Sequence, residues 1–416
     1  MLVLLLAAAV AACIAGGGDD DVGVYPPPTA IELLRYTPSG VPDTRFGAGN
    51  GFVIANLSRL GAAAFSVMLQ ADGKIVVVGN SSAGSAQTVI AVLRYNPDGT
   101  LDSAFGNGGV VLTGIGSLDA DFPVAALQAD GKIVVAGTTF APFIGTGGFF
   151  VARYNPDGTL DTAFASGGIL ASTIGSGGAS VEALAFQGDG KILLAGRTNN
   201  GSVLVFRLNT DGTFDPGFGN AGGAVTHARS SNTGTSHDAI AVQSDGKIVV
   251  GADNVVLRYA ADGSPDSAFA AAGVSSIAPF SEIDAIALQP DGKIVAAGSQ
   301  LSGSGRDFAV FRLNADGTPD IGFGASGSGL IATDVRFDNT RALLLQPDGK
   351  IIIAGFATTG LDDEVVLLRY MSNGSLDTTF GANGMVVRPA TGPSVIAGAN
   401  AMALQADGDI VVAGYD

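Results

Sequence analysis

The sequence has no tryptophan, one cysteine (Cys13) and two histidines, His227 and His237. A lone cysteine excludes any intrachain disulfide. Two histidines flanking one connection, with no cysteine nearby, do not make a zinc site, which needs a third ligand in a defined geometry. Positive charge is also scarce. The 21 Lys and Arg are outnumbered by 38 Asp and Glu, which leaves a net charge of −17. Such a balance argues against a nucleic-acid partner, because phosphate backbones are held by fields of Lys and Arg. Beyond residues 1–12 there is no long apolar run to consider as an export or membrane signal, and that run is too short to span a bilayer as a helix. No helical period is sustained anywhere. With 62 glycines and β-branched runs such as Ile351-Ile352-Ile353, a solenoid of helix pairs is excluded.

What the sequence has instead is a double repeat. One segment begins at Gln70, Gln128, Gln187, Gln243, Gln289, Gln346 and Gln405, each followed two and three residues later by Asp-Gly. The other begins at Arg35, Arg94, Arg153, Arg207, Arg258, Arg312 and Arg369, with an Asp eight residues on and a Phe eleven residues on. All six lysines (Lys74, Lys132, Lys191, Lys247, Lys293, Lys350) occupy one repeat position, so they are distributed rather than gathered into a basic patch. A period near 60 residues is the mark of stacked supersecondary units, since one unit alone cannot bury its apolar faces. Asp-Gly between apolar runs predicts a hairpin with a tight primed turn, in which positive φ is needed. Each unit then reads as four short antiparallel strands, the blade of a propeller. The chain opens on the second half of a unit, Arg35 to about Leu57, and closes on a first half, about Ala399 to Gly414. Pairing those halves closes the ring and removes exposed sheet edges. The expectation is an all-β, seven-bladed β-propeller over residues 31–416, its closing blade shared by N- and C-terminal strands.

The QADGKIVVAG-like and RYNPDGTLDTAFGNGG-like segments resemble the bacterial delta-60 repeat family, and the first segment more loosely resembles NHL propeller repeats. The resemblance spans about Ile31 to the C-terminus and implies a propeller without an assigned biochemical activity. Two departures stand out: Asp409 where six copies carry Lys, and a nearly deleted loop at Gly251–Val255.

Residues 1–13 read as a signal peptide. They end in Val10-Ala11-Ala12-Cys13, which resembles a bacterial lipobox with Cys13 as the lipidated residue, although no positive charge precedes Leu2. Residues 14–30, rich in Gly, Asp and Pro, read as a flexible tether. The expected location is the cell envelope, lipid-anchored to the outer membrane or cell surface, with the membrane engaged only through the anchor. The absence of Asp after Cys13, by resemblance to proteobacterial lipoproteins, favours outer-membrane sorting.

The repeated motifs carry little chemistry. Asn96 to Asp102 (NPDGTLD) is similar to a calcium loop, but Arg94 stands where the first Asp of an EF-hand would be, so the motif reads as an Asx-turn. Arg94 and Asp102 read as an intrablade pair, and Phe105 as a plug between blades. No Gly-x-Ser-x-Gly elbow precedes a helix, and the missing tryptophan argues against a quinone-dependent propeller. The DGK and NPDGTLD corners share one face of the disc, while the variable connections share the other, where binding usually resides. Five residues before the recurring Gln, at the channel mouth on that variable face, stand Glu182, Asp238, Asp284, Arg341 and Asn400, with Phe65 and Pro123 completing the ring. These five are the candidate ligand-binding residues. Convergence of Glu182, Asp238 and Asp284 would suit a divalent cation such as calcium, no other cofactor being expected. Phe140, Phe143, Arg306, Asp307, Asp362, Asp363 and Glu364 are read as an outer-loop rim. The favoured function is a non-catalytic, monomeric binding or scaffold module that recognises an envelope protein or glycan. The alternatives are a lactonase-like metal-dependent hydrolase and a structural surface or adhesion protein.

Overall fold

The computed structural model describes residues 30–57, 61–82, 87–140, 147–173, 178–219, 222–228, 238–277, 280–302, 305–324, 327–335, 337–359, 362–389 and 397–415. Cys13, Phe143 and His237 lie outside these residues, as do residues 14–29 of the tether.

Seven antiparallel sheets of four strands make seven blades, and the inner strand of each packs beside the inner strand of the next until the ring closes. The first complete blade runs outward through Ala62–Leu69, Ile75–Ser81, Val89–Tyr95 and Val110–Thr113. The closing blade takes its two inner strands, Gly398–Leu404 and Ile410–Tyr415, from the C-terminus. Its two outer strands, Ile31–Tyr36 and Phe52–Ala55, come from the N-terminus. Ile31 pairs with Tyr415 and Tyr36 with Ile410, so the seam is a full strand-to-strand ladder. The middle strands are buried on both faces and therefore read as continuous apolar runs, whereas the outer strands are partly exposed. Among the described residues no helix is long and apolar enough to cross a membrane.

The hairpin turn differs from the expected primed turn. Gly73 N–H donates to Gln70 O at 2.9 Å and Gln70 N–H to Lys74 O at 2.8 Å, which makes a three-residue loop. Of these loop residues, only Gly73 is left-handed, at φ +82°. Asp72 keeps ordinary φ and uses its Oδ1 to accept the Lys74 N–H at 3.1 Å. This is the longer turn that ends in a left-handed glycine, and the Asp is selected as an acceptor rather than for positive φ.

A second glycine has a different cause. A Cβ on Gly79 would lie 2.0 Å from the Ala63 carbonyl oxygen of the neighbouring inner strand, and one on Gly355 only 1.8 Å from that of Asn339. The inner strand bulges at this level, with register shifts at Ala64/Ser66, Asp121/Val124, Ile283/Ala285, Thr340/Ala342 and Ala399/Ala401. The bulge presses the backbone onto the glycine, and the extra residue leaves the ladder.

Candidate functional site

The repeated residues assemble into a joint between blades. Arg94 Nε donates to Asp102 Oδ2 at 2.7 Å, and Nη1 reaches the Pro156 carbonyl of the next blade at 2.5 Å. Its guanidinium lies 4.6 Å above the Phe105 ring. That ring in turn packs where Gly158 of the next blade has no side chain. Lys74 Nζ completes the set at 3.2 Å from Asp102 Oδ2. Equivalent Arg–Asp bonds occur in every blade, and the equivalent arginines donate to carbonyls of Pro97, Thr210, Ala261, Ala315, Ser372 and Pro38. Burial would raise the Asp102 carboxyl, but the Ala104 N–H, Lys74 and Arg94 together hold it below the ordinary value. At Asp215 the Lys191 bond is the largest influence and the carboxyl is lowered to about 2. The intrablade Arg–Asp pair and the Phe plug are as the spacing implies. The arginine's reach into the next blade is the part that spacing does not reveal.

The oxygens of the calcium-like corner are committed to the turn itself. Asp98 Oδ1 accepts the Thr100 N–H at 2.9 Å and the Thr100 hydroxyl at 2.7 Å, and Asn96 Nδ2 donates to Thr100 Oγ1 at 3.0 Å.

On the opposite face, the position five residues before the Gln coincides with the inner-strand bulge in five of the seven blades. Phe65, Asp284, Arg341 and Asn400 are the bulged residues of their strands. Phe122 and Pro123 together form a two-residue bulge, with Phe122 at φ +48° and its ring 5.5 Å edge-on from Phe65. Glu182 and Asp238 immediately precede the inner strands Ala183–Phe186 and Ala239–Val242. Two of the acidic candidates meet. Glu182 Oε2 accepts the Asp238 N–H at 2.8 Å, and its Oε1 accepts the Ser180 hydroxyl at 3.0 Å and lies 3.4 Å from Arg197 Nε. The Asp238 carboxylate, its side chain fully buried, lies 4.0 Å from the same Arg197 nitrogen. Asn400 Nδ2 donates to the Ala64 carbonyl of the adjoining blade at 2.8 Å. The Arg341 guanidinium lies 5.5 Å from the Phe356 ring centroid. Asp284 is half-buried on its own bulge. Among the described residues no three His, Cys, Asp or Glu side chains are grouped as a metal site requires.

Arg197 is the participant that counting from Gln does not find. Its signal is a basic residue directly after the second-strand glycine, where other blades carry Asn80, Thr138, Ala252, Ser299, Phe356 or Tyr415. Asp121, beside the Phe122–Pro123 bulge, is another. Burial, and then Asp119, push its carboxyl up to about 6. His227 ends an outer strand, where burial lowers its pKa.

The expected outer-loop rim takes a different form. Ile294–Ser302 and Gly305–Leu313 extend as one long hairpin, as do Ile351–Thr359 and Asp362–Tyr370. Arg306 is bonded to Glu282, Asp307 is buried and accepts the Ser302 hydroxyl at 3.0 Å, and Asp363 accepts the Thr358 hydroxyl at 2.7 Å. Strand pairing continues outward through Gln300–Asp307, Leu301–Arg306 and Thr358–Asp363 and draws these charges into the ladder. Glu364 lies in the same strand, and Phe140 ends the strand Ile133–Phe140.

The sequence matches a family model described as a domain of unknown function (DUF5122) beta-propeller, at residues 70–105, 128–164, 187–218, 243–269, 289–323 and 346–380. The chain carries propeller repeats of unassigned function. None of the curated proteins matches it. Among solved structures it is similar to a protein of unknown function from Bacteroides caccae, at 13% identity and TM-score 0.40, covering 76% of this chain and 99% of that one. It is also similar to a polysaccharide lyase of the PL25 ulvan lyase family, at 9% identity and TM-score 0.46, covering 74% and 80%. Chaetomium thermophilum Sqt1 bound to the N-terminus of ribosomal protein L10 is similar at 14% identity and TM-score 0.42, covering 85% and 96%. Likenesses at this level assign neither substrate nor partner.

Proposed function

We propose that this chain is an exported bacterial binding module, anchored by a lipid on Cys13, that recognises an envelope protein or glycan through the variable face around the channel mouth. The observation that supports this reading is the division of labour between residues. The recurring Arg, Asp, Phe and Lys are engaged within and between blades and the recurring turn Asp in its own turn, while the equivalent position on the variable face presents a different side chain in nearly every blade. A bulge re-aims a side chain without disturbing the hairpin beneath it, which suits a rigid scaffold with a variable surface. Glu182 and the fully buried Asp238 turn their oxygens to Arg197, Ser180 and a backbone N–H, which counts against a cation held by these two and leaves recognition to the other residues of the mouth.

Two measurements test the proposal. Mass spectrometry of the mature N-terminus in the native host should find a diacylglyceryl group on Cys13, lost in Cys13→Ser; an unmodified residue there would remove the anchor. Binding to arrays of envelope glycans and to purified envelope proteins should disappear in the Asp284→Ala/Arg341→Ala double variant and persist in an outer-strand control, Ala332→Ser. Equal binding by both would move the site off the channel mouth.

A further inference from the structure

Six blades share one charge pattern where their inner and outer halves meet. The lysine of the inner hairpin sits against the corner aspartate of the outer half, at 2.8 to 3.5 Å. In the closing blade the pattern is exchanged. The inner half supplies Asp409 in place of lysine, and the outer half supplies Arg45, where the other blades have Ala104, Ala163, Gly217, Ala268, Gly322 or Thr379. Arg45 Nη2 lies 2.7 Å from Asp409 Oδ2, and its Nε lies 2.8 Å from Asp43 Oδ1. Arg35 also approaches Asp409, at 3.8 Å. Both carboxylates are buried, with side chains 3% and 4% exposed. The second cation has moved from one half of the blade to the other.

We propose that this exchange is a recognition code by which the two ends of the chain select each other and so set the pairing phase of the ring. Alternating halves can pair in two ways. Each inner hairpin can join the outer half that follows it, which leaves the chain ends to form the seam. Alternatively, each outer half can join the inner hairpin that follows it, which leaves no seam. Loop-closure entropy favours the second arrangement at the N-terminus. The outer half that ends at Ala55 is followed almost at once by the hairpin beginning at Ala62, whereas Arg45 and its native partner Asp409 are 364 residues apart. In the interior, the tight Ala252–Val255 hairpin opposes that shift because it ties the second strand of its blade directly to the third. At the ends, the exchanged charges oppose it. The shifted phase would crowd Arg45 and Lys74 around Asp43, and would set Asp409 against Asp377 without a second cation. Two buried carboxylates set together without a second cation are disfavoured at one end, the crowded but more exposed cations less strongly at the other, and only the native seam matches.

The test compares the whole chain with four variants, following refolding from urea by tyrosine fluorescence, since the chain has seven tyrosines and no tryptophan. Arg45→Ala and Asp409→Lys should each raise the unfolding equilibrium constant about tenfold. The double variant Arg45→Ala/Asp409→Lys restores the pattern of the other six blades. It should regain the wild-type urea midpoint yet refold with an added slow phase and about twofold less closed monomer. Lys74→Asp/Ala104→Arg gives the neighbouring hairpin the code of the seam while keeping that blade's own pair matched. It should lower the refolding yield in the same way without lowering the midpoint. Single variants as stable as wild type, or both double variants refolding at the wild-type rate and yield, would overturn the proposal.

Discussion

On the corner face, Arg94 bonds Asp102, covers Phe105 and reaches the Pro156 carbonyl of the next blade, and the same set recurs in all seven blades. On the variable face, the equivalent bulge position holds Phe65, Pro123, Glu182, Asp238, Asp284, Arg341 and Asn400, and only Asp occurs twice. The two faces hang on the same strands. A joint between blades must have one geometry, because each blade is both donor to the next and acceptor from the last. The channel mouth carries no such uniform demand: where the residue is bulged it is outside the ladder, and each blade makes its own contact, such as Asn400 to the Ala64 carbonyl or Glu182 to the Asp238 N–H. Repetition therefore marks structure here, and its failure marks the surface available to function.

The contrast can be broken most severely at the joint. Arg153→Ala leaves the buried Asp161 carboxylate with only Lys132 and the Ala163 N–H, uncovers Phe164 and frees the Thr210 carbonyl. It should cost about 1.5–3 kcal/mol in urea unfolding, whereas a loss under 1 kcal/mol would mean the joint is not what holds the blades together. Next in size is Gly355→Ala, whose Cβ would overlap the Asn339 carbonyl at 1.8 Å. Relieving that overlap requires flattening the bulge, at about 1–3 kcal/mol, and should also shift the NMR resonances of Arg341.

Acid should act on the corner face first. The Asp43 and Asp215 carboxyls are depressed from 3.8 to about 2, Asp43 chiefly by its Arg45 hydrogen bond and Asp215 by that from Lys191. A depressed carboxyl adds stability that is complete above its unfolded pKa and is lost as pH falls through the folded one. The melting temperature should therefore rise modestly from pH 7 to about pH 4, as the raised Asp121 carboxyl takes up its proton in the folded state, and then drop steeply toward pH 2. In Asp215→Asn that drop should be shallower. Smallest of all should be changes at the mouth. Asp284→Asn should alter stability by less than about 0.5 kcal/mol, and added calcium should leave the melting temperature unmoved. A calcium-dependent rise, abolished in Asp238→Ala, would instead favour the hydrolase reading.

Much of this was legible in the residues. Arg and Asp eight apart, with Phe eleven on, describe a side-chain cluster even before the strands are drawn, and the half units at the two ends already imply a seam. The turn at Asp72-Gly73 was legible in kind but not in type, because both turns place Gly in the same left-handed well and differ only in what the Asp does. Counting back five from each Gln found the mouth position without showing that it is a bulge. Arg197 was hidden because its partners, Glu182 and Asp238, belong to different blades. Arg45 was hidden because Asp409, read alone, is only a departure from a repeat.

The sequence by itself determined the blade, the number of blades and the residues of each joint, because strand pattern, turns and the Arg–Asp–Phe spacing are local and were written seven times. Only the tertiary structure decided what the single-copy residues do. Arg45 meets Asp409 where the two ends of the chain share one blade, while Arg197 with Asp238 and Asn400 with the Ala64 carbonyl are contacts between blades. Closing the ring brings together residues whose separation along the chain carries no trace of their proximity.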